Sequence, residues 1–277
     1  MTRHPADRLP ISIIFGLTAI DFVVYFNVDN IWLLAAYFLL MTFPRACICA
    51  WSHHHQHTKT FRSTLLNRVL EQGYALHTGV TTNLWLLHHV FGHHHNYLDQ
   101  SADESRWKRK SGKKMGELEY SFNVAITAYY RGIKVGRRYP KHLRNHLIFS
   151  AVTLVLVTAL MIYRPLPGLL IFALPMIVGL FITAWVTYDH HAGLETEDHF
   201  AASFNNMNPL LNFLTGNLGF HTAHHYKQGT HWSELPALHE TIKAKIPAEL
   251  YRRDTFWDLM IRLPLLRNLF PTAQTQG

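Results

Sequence analysis

Cysteine is nearly absent: Cys47 and Cys49 are the only two in 277 residues. Their Cys-x-Cys spacing inside an apolar run supports neither a disulfide framework nor a four-ligand zinc site. Both are therefore expected to be small buried side chains. Internal repeats, low-complexity tracts and linkers long enough to divide the chain are also missing, so residues 1–277 are expected to form one domain. Acidic residues are outnumbered, 18 against 26 Lys and Arg, giving a formal charge of +8. Such a balance would suit nucleic acid, but no recognisable nucleic-acid module accompanies it, and no nucleic-acid partner is expected. Membrane topology accounts for the charge instead.

The 48% hydrophobic content is ordinary, but it is concentrated in a few runs. Residues 11–27, 31–50, 147–163 and 167–188 are each near the length that crosses a bilayer at about 1.5 Å per residue. Val28-Asp29-Asn30 joins the first pair and Arg164-Pro-Leu-Pro the second, which predicts two helical hairpins. The first run has no small-residue cleavage site and carries Asp21, so it reads as a retained span and not a signal peptide. Asp21 itself is expected in a hydrogen-bonded structural role or nearer the outer surface. Two hairpins put the N-terminus, the middle segment and the C-terminal segment on one side. Of the 26 Lys and Arg, only Arg164 falls between hairpin arms and Arg45 lies inside a span, so that shared side is cytoplasmic.

The expected fold class is therefore all-α integral membrane: four transmembrane helices in two hairpins with a cytoplasmic helical cap, 51–146 and 189–277. A bacterial inner membrane is the expected location. Within the cap, the basic run Arg106 to Lys114 reads as a solvated, headgroup-facing loop or a docking face for an acidic partner. Residues 119–135 and 246–270 mix aromatic and aliphatic residues with Arg and Lys, and read as helices lying at the membrane surface.

Histidine is what the chain has in excess, 21 residues. In Asn217-Leu-Gly-Phe-His221-Thr-Ala-His224-His225 the i, i+3, i+4 spacing predicts three imidazoles turned toward a single point on one helix face. His53 and His57 share a face where the second span ends, while His54 and His55 point elsewhere. His89 and His93 share another, with His94 roughly 140° around an ideal helix from His89. Asp189-His190-His191 closes the fourth span. All four groups fall at one depth on one membrane side, an arrangement that a buried metal centre requires and a sequestering loop does not. About nine imidazoles exceed what one ion accepts, so two ions are implied; imidazole alone does not choose among iron, copper, nickel and zinc.

The order HxxxH (His53, His57), HxxxHH (His89, His93, His94) and HxxHH (His221, His224, His225), with two spans between, resembles the integral-membrane fatty acid desaturase and hydroxylase superfamily. Gly219 to His225 is similar to the third box of acyl desaturases, and Tyr188 to Gly193 to the fourth-span segment that supplies one further histidine. The resemblance implies a two-iron centre with O2 as co-substrate, and iron ligands at His53, His57, His89, His93, His94, His191, His221, His224 and His225. No catalytic side chain beyond the metal ligands is expected. Some acyl-CoA desaturases have Asn four residues before the fourth-span histidine where this chain has Thr187, and His88 or His95 are alternative second-box ligands. Asp99, Asp103, Glu195, Glu197 and Asp198 are candidates to orient the rings. Asn217 is a candidate hydrogen-bond partner of the site, and His231 and His239 are expected to be structural or substrate-lining.

The implied activity is an O2-dependent oxidoreductase that desaturates a fatty acyl chain, with a lipid hydroxylase or an alkene-forming fatty acid decarboxylase as alternatives on the same scaffold. The HxxxH spacing of the first box leans away from the acyl-CoA branch. Electrons would come from a donor such as a ferredoxin or cytochrome with its reductase, meeting the basic cytoplasmic surface. A metal-ion transporter is the competing class, but spans two, three and four offer no ionisable residue near mid-membrane for a conduction path.

Overall fold

The computed structural model describes residues 2–262, which are mostly helical, with one pair of two-residue strands. Its backbone is α1 (Arg8–Asn27), α2 (Ile31–His57), α3 (Thr64–Thr78), a π-helix (Leu86–His94), α4 (Glu117–Gly136), α5 (Pro140–Tyr163) and α6 (Pro165–His191). Four short helices follow: α7 (Pro209–Thr215), α8 (His221–Tyr226), α9 (Leu235–Ile242) and α10 (Phe256–Arg262). Among the described residues four stretches are long and apolar enough to cross a membrane, Pro5–Asn27, Ile31–His57, Pro140–Tyr163 and Pro165–His191. Their outward sides carry Val23, Leu39, Leu40, Leu154, Val155 and Ile177, all exposed, which is the belt that lipid tails would cover.

The spans run further than the apolar runs predict. α2 continues through the first histidine box and α6 to His191, so the ligand candidates are rooted in long helices. Asn30 sets the start of α2: its side chain accepts the N–H groups of Trp32 at 2.9 Å and Leu33 at 3.2 Å. α3 is amphipathic and packs against α1, α2 and α6, burying Leu70, Tyr74 and His77. Its approach to α6 requires Gly179, where a Cβ would lie 2.6 Å from the Thr78 Cα.

Asp21 is buried, and it is paired. Arg45 Nη2 donates to its Oδ1 at 2.7 Å, Tyr37 O–H donates at 2.6 Å, and His77 lies 3.5 Å from Oδ2. Arg45 also reaches the Ile171 carbonyl of α6, tying three helices through one guanidinium. Cys47 and Cys49 are buried and free, as expected.

Two surface readings change. The Arg106–Lys114 run is not merely a solvated loop: Trp107 is buried beside Met115 and Tyr120, Lys108 bridges to Lys114, and Arg109 and Lys108 pair with Glu119 and Glu195. Residues 246–270 are not one helix. Ala248–Leu250 is a 3-10 turn, and Tyr251–Arg252 pairs in parallel with Asn205–Asn206, because this backbone is captured by a neighbouring segment before α10 begins. The part beyond 262 lies outside the described residues. α4 does form over 119–135, with Phe122, Ile126 and Tyr130 exposed along one side and the other packed on α6 and the π-helix.

Candidate metal centre

The end of α2 places His53 and His57 on one face, with their Nε2 atoms 3.0 Å apart. His54 and His55 leave that face, as the helix period demands. His54 Nε2 meets the Thr215 carbonyl at 3.1 Å, and His55 is held between Thr60 Oγ1 at 2.8 Å and Glu71 at 3.2 Å.

The second box departs from an α-helix. Leu86–His94 is a π-helix, whose i→i+5 hydrogen bonds widen the turn. Residues five apart then come into line, and His94 Nε2 lies 3.0 Å from His89 Nε2. His93 keeps to the same side as His89, with the ring centroids 5.0 Å apart, but its Nε2 lies 3.3 Å from His191 Nε2. His88 is buried with its ring stacked on Trp85, His95 is exposed, and neither joins the metal-binding groups.

The third box does not converge on a single point. His224 Nε2 is 3.0 Å from His53 Nε2 and 3.1 Å from His94 Nε2, whereas His225 lies with His93 and His191. His221 Nε2 is 3.1 Å from His191 Nε2. Consecutive residues on a helix differ by about 100°, so a short helix inserted between two clusters sends His224 and His225 to opposite ones. The result is one group of five imidazoles, His53, His57, His89, His94 and His224, and a second of His93, His191 and His225. In each group the candidate ligand atoms lie within 4.8 Å of one another.

The donor chemistry fits a metal ion. His93 Nδ1 lies 2.9 Å and 3.0 Å from the Asp103 carboxylate oxygens, and His191 Nδ1 donates to the Ala202 carbonyl at 2.9 Å. Those partners engage Nδ1 of each ring and leave the two Nε2 atoms facing each other at 3.3 Å. Opposed lone pairs repel unless a cation shares them. Burial, with repulsion from neighbouring imidazoles, pushes His89, His94, His221, His224 and His225 well below the usual histidine range, so these rings are neutral and ready to donate. Among the described residues neither group includes a carboxylate ligand.

Residues that the sequence reading missed hold α8 in place. Asn205 Oδ1 accepts the Thr222 N–H at 3.0 Å and its amide donates to Thr222 Oγ1 at 2.8 Å. Asn212 spans Asn206 O and the Gly219 N–H in the same way. The signal was the Asn205-Asn206-Met-Asn208 run, dense in amides beside a histidine box. Glu71, buried with Lys59, Arg68, Thr82 and His55, was also missed.

Of the five carboxylates proposed to orient rings, Asp103 touches one. Asp99 and Asp198 cap local turns, Glu195 pairs with Lys108, and Glu197 is exposed. Asn217 does not serve the site: it adopts a left-handed φ of 61° and its amide donates to Trp232 O. Thr187 Oγ1 donates to Thr183 O. His231 binds Asp7 and Ser233, and His239 meets Tyr251, so both are structural.

A cleft with a volume of about 90 Å³ reaches the groups from between α2 and α6. Ala50, Cys49 and Val186 form its apolar walls, and His53, His89 and His221 stand at its inner surface.

The fold and site define, as a class, a helical protein with four membrane-length apolar helices and two buried groups of convergent imidazoles able to hold metal. Residues 30–257 match the model of the fatty acid desaturase family, and the chain belongs to that family. Membership implies an oxidoreductase. Searches of curated proteins and of solved structures returned no match.

Proposed function

We propose that this protein is a membrane di-iron oxidoreductase that uses O2 and external electrons to desaturate a fatty acyl chain. The observation that carries the reading is the meeting of an apolar cleft with two groups of buried, convergent imidazoles. His53, His57, His89, His94 and His224 would hold one iron; His93, His191 and His225, with His221 beside them, would hold the other. When bound, the irons supply the oxidising power that removal of hydrogen from a saturated carbon needs and that side chains lack. The chain's own residues hold and orient the ligand rings, while Ala50, Cys49 and Val186 line the cleft with apolar surface, which excludes water and suits an acyl chain.

The whole chain acts as a single membrane domain, with two hairpins and a cytoplasmic cap in a bacterial inner membrane. The charge asymmetry of the loops supports that orientation. Electrons arrive from a ferredoxin or cytochrome and its reductase at the basic cytoplasmic side, so turnover with the cognate donor falls as salt rises.

The test is expression in a lipid-producing host, followed by mass spectrometry of fatty acids and volatile hydrocarbons against a His224→Ala control. New unsaturation that depends on His224 is the expected result. A hydroxylated lipid or a terminal alkene would move the assignment to the hydroxylase or the decarboxylase, and no oxidised lipid with any donor would overturn it.

A further inference from the structure

The two groups of imidazoles are not equivalent on the side away from the metal. In the five-membered group the Nδ1 atoms of His57, His89 and His94 are buried without a protein hydrogen-bond partner. In the second group His93 Nδ1 meets both oxygens of Asp103 and His191 Nδ1 donates to a backbone carbonyl, while His225, like the rings of the first group, has no protein partner on Nδ1. Asp103 is 1% exposed and is itself oriented, since its Oδ1 accepts the Ser105 N–H at 2.7 Å. The carboxylate is thus aimed at one ring by local backbone ten residues further along the chain.

We infer that Asp103 is a positioning residue for the second metal position alone, and that the ion held by His93, His191 and His225 depends on its carboxylate. This rests on the metal-binding reading above. The carboxylate does two things to His93. It fixes the hydrogen on Nδ1, so that Nε2 always presents its lone pair, and it places a negative charge against the ring, which makes Nε2 a stronger donor. The five-membered group compensates by number of rings. The second group has fewer rings, and the loss of one well-oriented donor is correspondingly larger.

The test is metal binding by the full-length, detergent-solubilised protein. Metal-free wild type, Asp103→Asn, Asp103→Ala and His57→Ala are titrated with Co(II), read by the visible absorption of the bound ion and by elemental analysis after gel filtration. Wild type takes up two ions. Asp103→Asn keeps an oxygen for the Ser105 and His93 N–H groups and so guards against simple unfolding; it is expected to weaken one of the two ions about tenfold, and Asp103→Ala about a hundredfold. The other ion keeps its wild-type affinity in both, while His57→Ala weakens the ion that the Asp103 variants leave alone. Unchanged binding of both ions by both Asp103 variants, or equal weakening of both ions, overturns the assignment of Asp103 and leaves the metal centre standing. Failure of the wild type to bind any ion overturns the metal reading itself.

Discussion

His224 and His225 are adjacent in sequence yet serve different groups, His224 lying 3.0 Å from His53 while His225 sits with His93 and His191. Removing either ring should therefore empty a different position. His224→Ala and His225→Ala are each expected to retain about one metal ion per chain and to lose turnover at least ~10-fold. Elemental analysis and the spectrum of the remaining ion distinguish the two. Identical residual spectra would show that the rings share one ion.

The Asp21–Arg45 pair predicts a stability effect far from the metals. Arg45→Met strips a buried carboxylate of its cation, leaving only Tyr37 and the more distant His77 as neighbours. A loss of about 3–5 kcal/mol is expected from breaking such a pair, and much of it should return in the Asp21→Asn, Arg45→Met double variant. Thermal unfolding in detergent measures both; equal stability of Arg45→Met and the parent would contradict the pairing.

Filling the cleft should separate chemistry from metal binding. Ala50→Leu adds bulk to the apolar wall next to His53. Metal content is expected to stay at the wild-type level while turnover on long acyl chains falls several-fold more than turnover on short ones. A uniform loss across chain lengths would place the substrate elsewhere.

Acid should weaken the metal-free protein. Burial pushes His77 down to about 4, with Asp21 pulling the other way, and the same burial holds His89, His94 and His224 well below the ordinary value of 6.5. Between pH 4 and 6.5 the unfolded chain binds protons that folded His77 does not, so stability rises with pH across that window and levels off above it. Each such histidine adds a slope of up to about 1.4 kcal/mol per pH unit. Melting temperatures measured from pH 4 to 8 should climb to about 6.5; a flat profile would mean that these rings are charged when folded.

Much of this was readable in the chain. The four long helices announced themselves by length and apolar character, and His53 with His57 by a spacing that any α-helix turns into a shared face. His94 was harder to place, because its alignment with His89 depends on a π-turn that residue spacing does not encode. Tertiary partners were harder still. Nothing around Asp21 in the sequence points to Arg45, 24 residues away, and the amides of Asn205 and Asn212 acquire meaning only once α8 is folded against them. The stretch 246–252 has the composition of a surface helix, but backbone pairing with Asn205–Asn206 won over local propensity.

The π-helix makes length, more than residue identity, the fragile property of the second box. His89, His93 and His94 reach both imidazole groups from within six positions because the turn is wide. Deleting one residue between Val90 and Gly92 would bring the two later histidines one place closer to His89, so that the ring four positions on is the one that now serves the other ion. A single side-chain exchange here removes at most one ring, but a change in the number of residues would redirect His93 and His94 together and so disturb both groups at once.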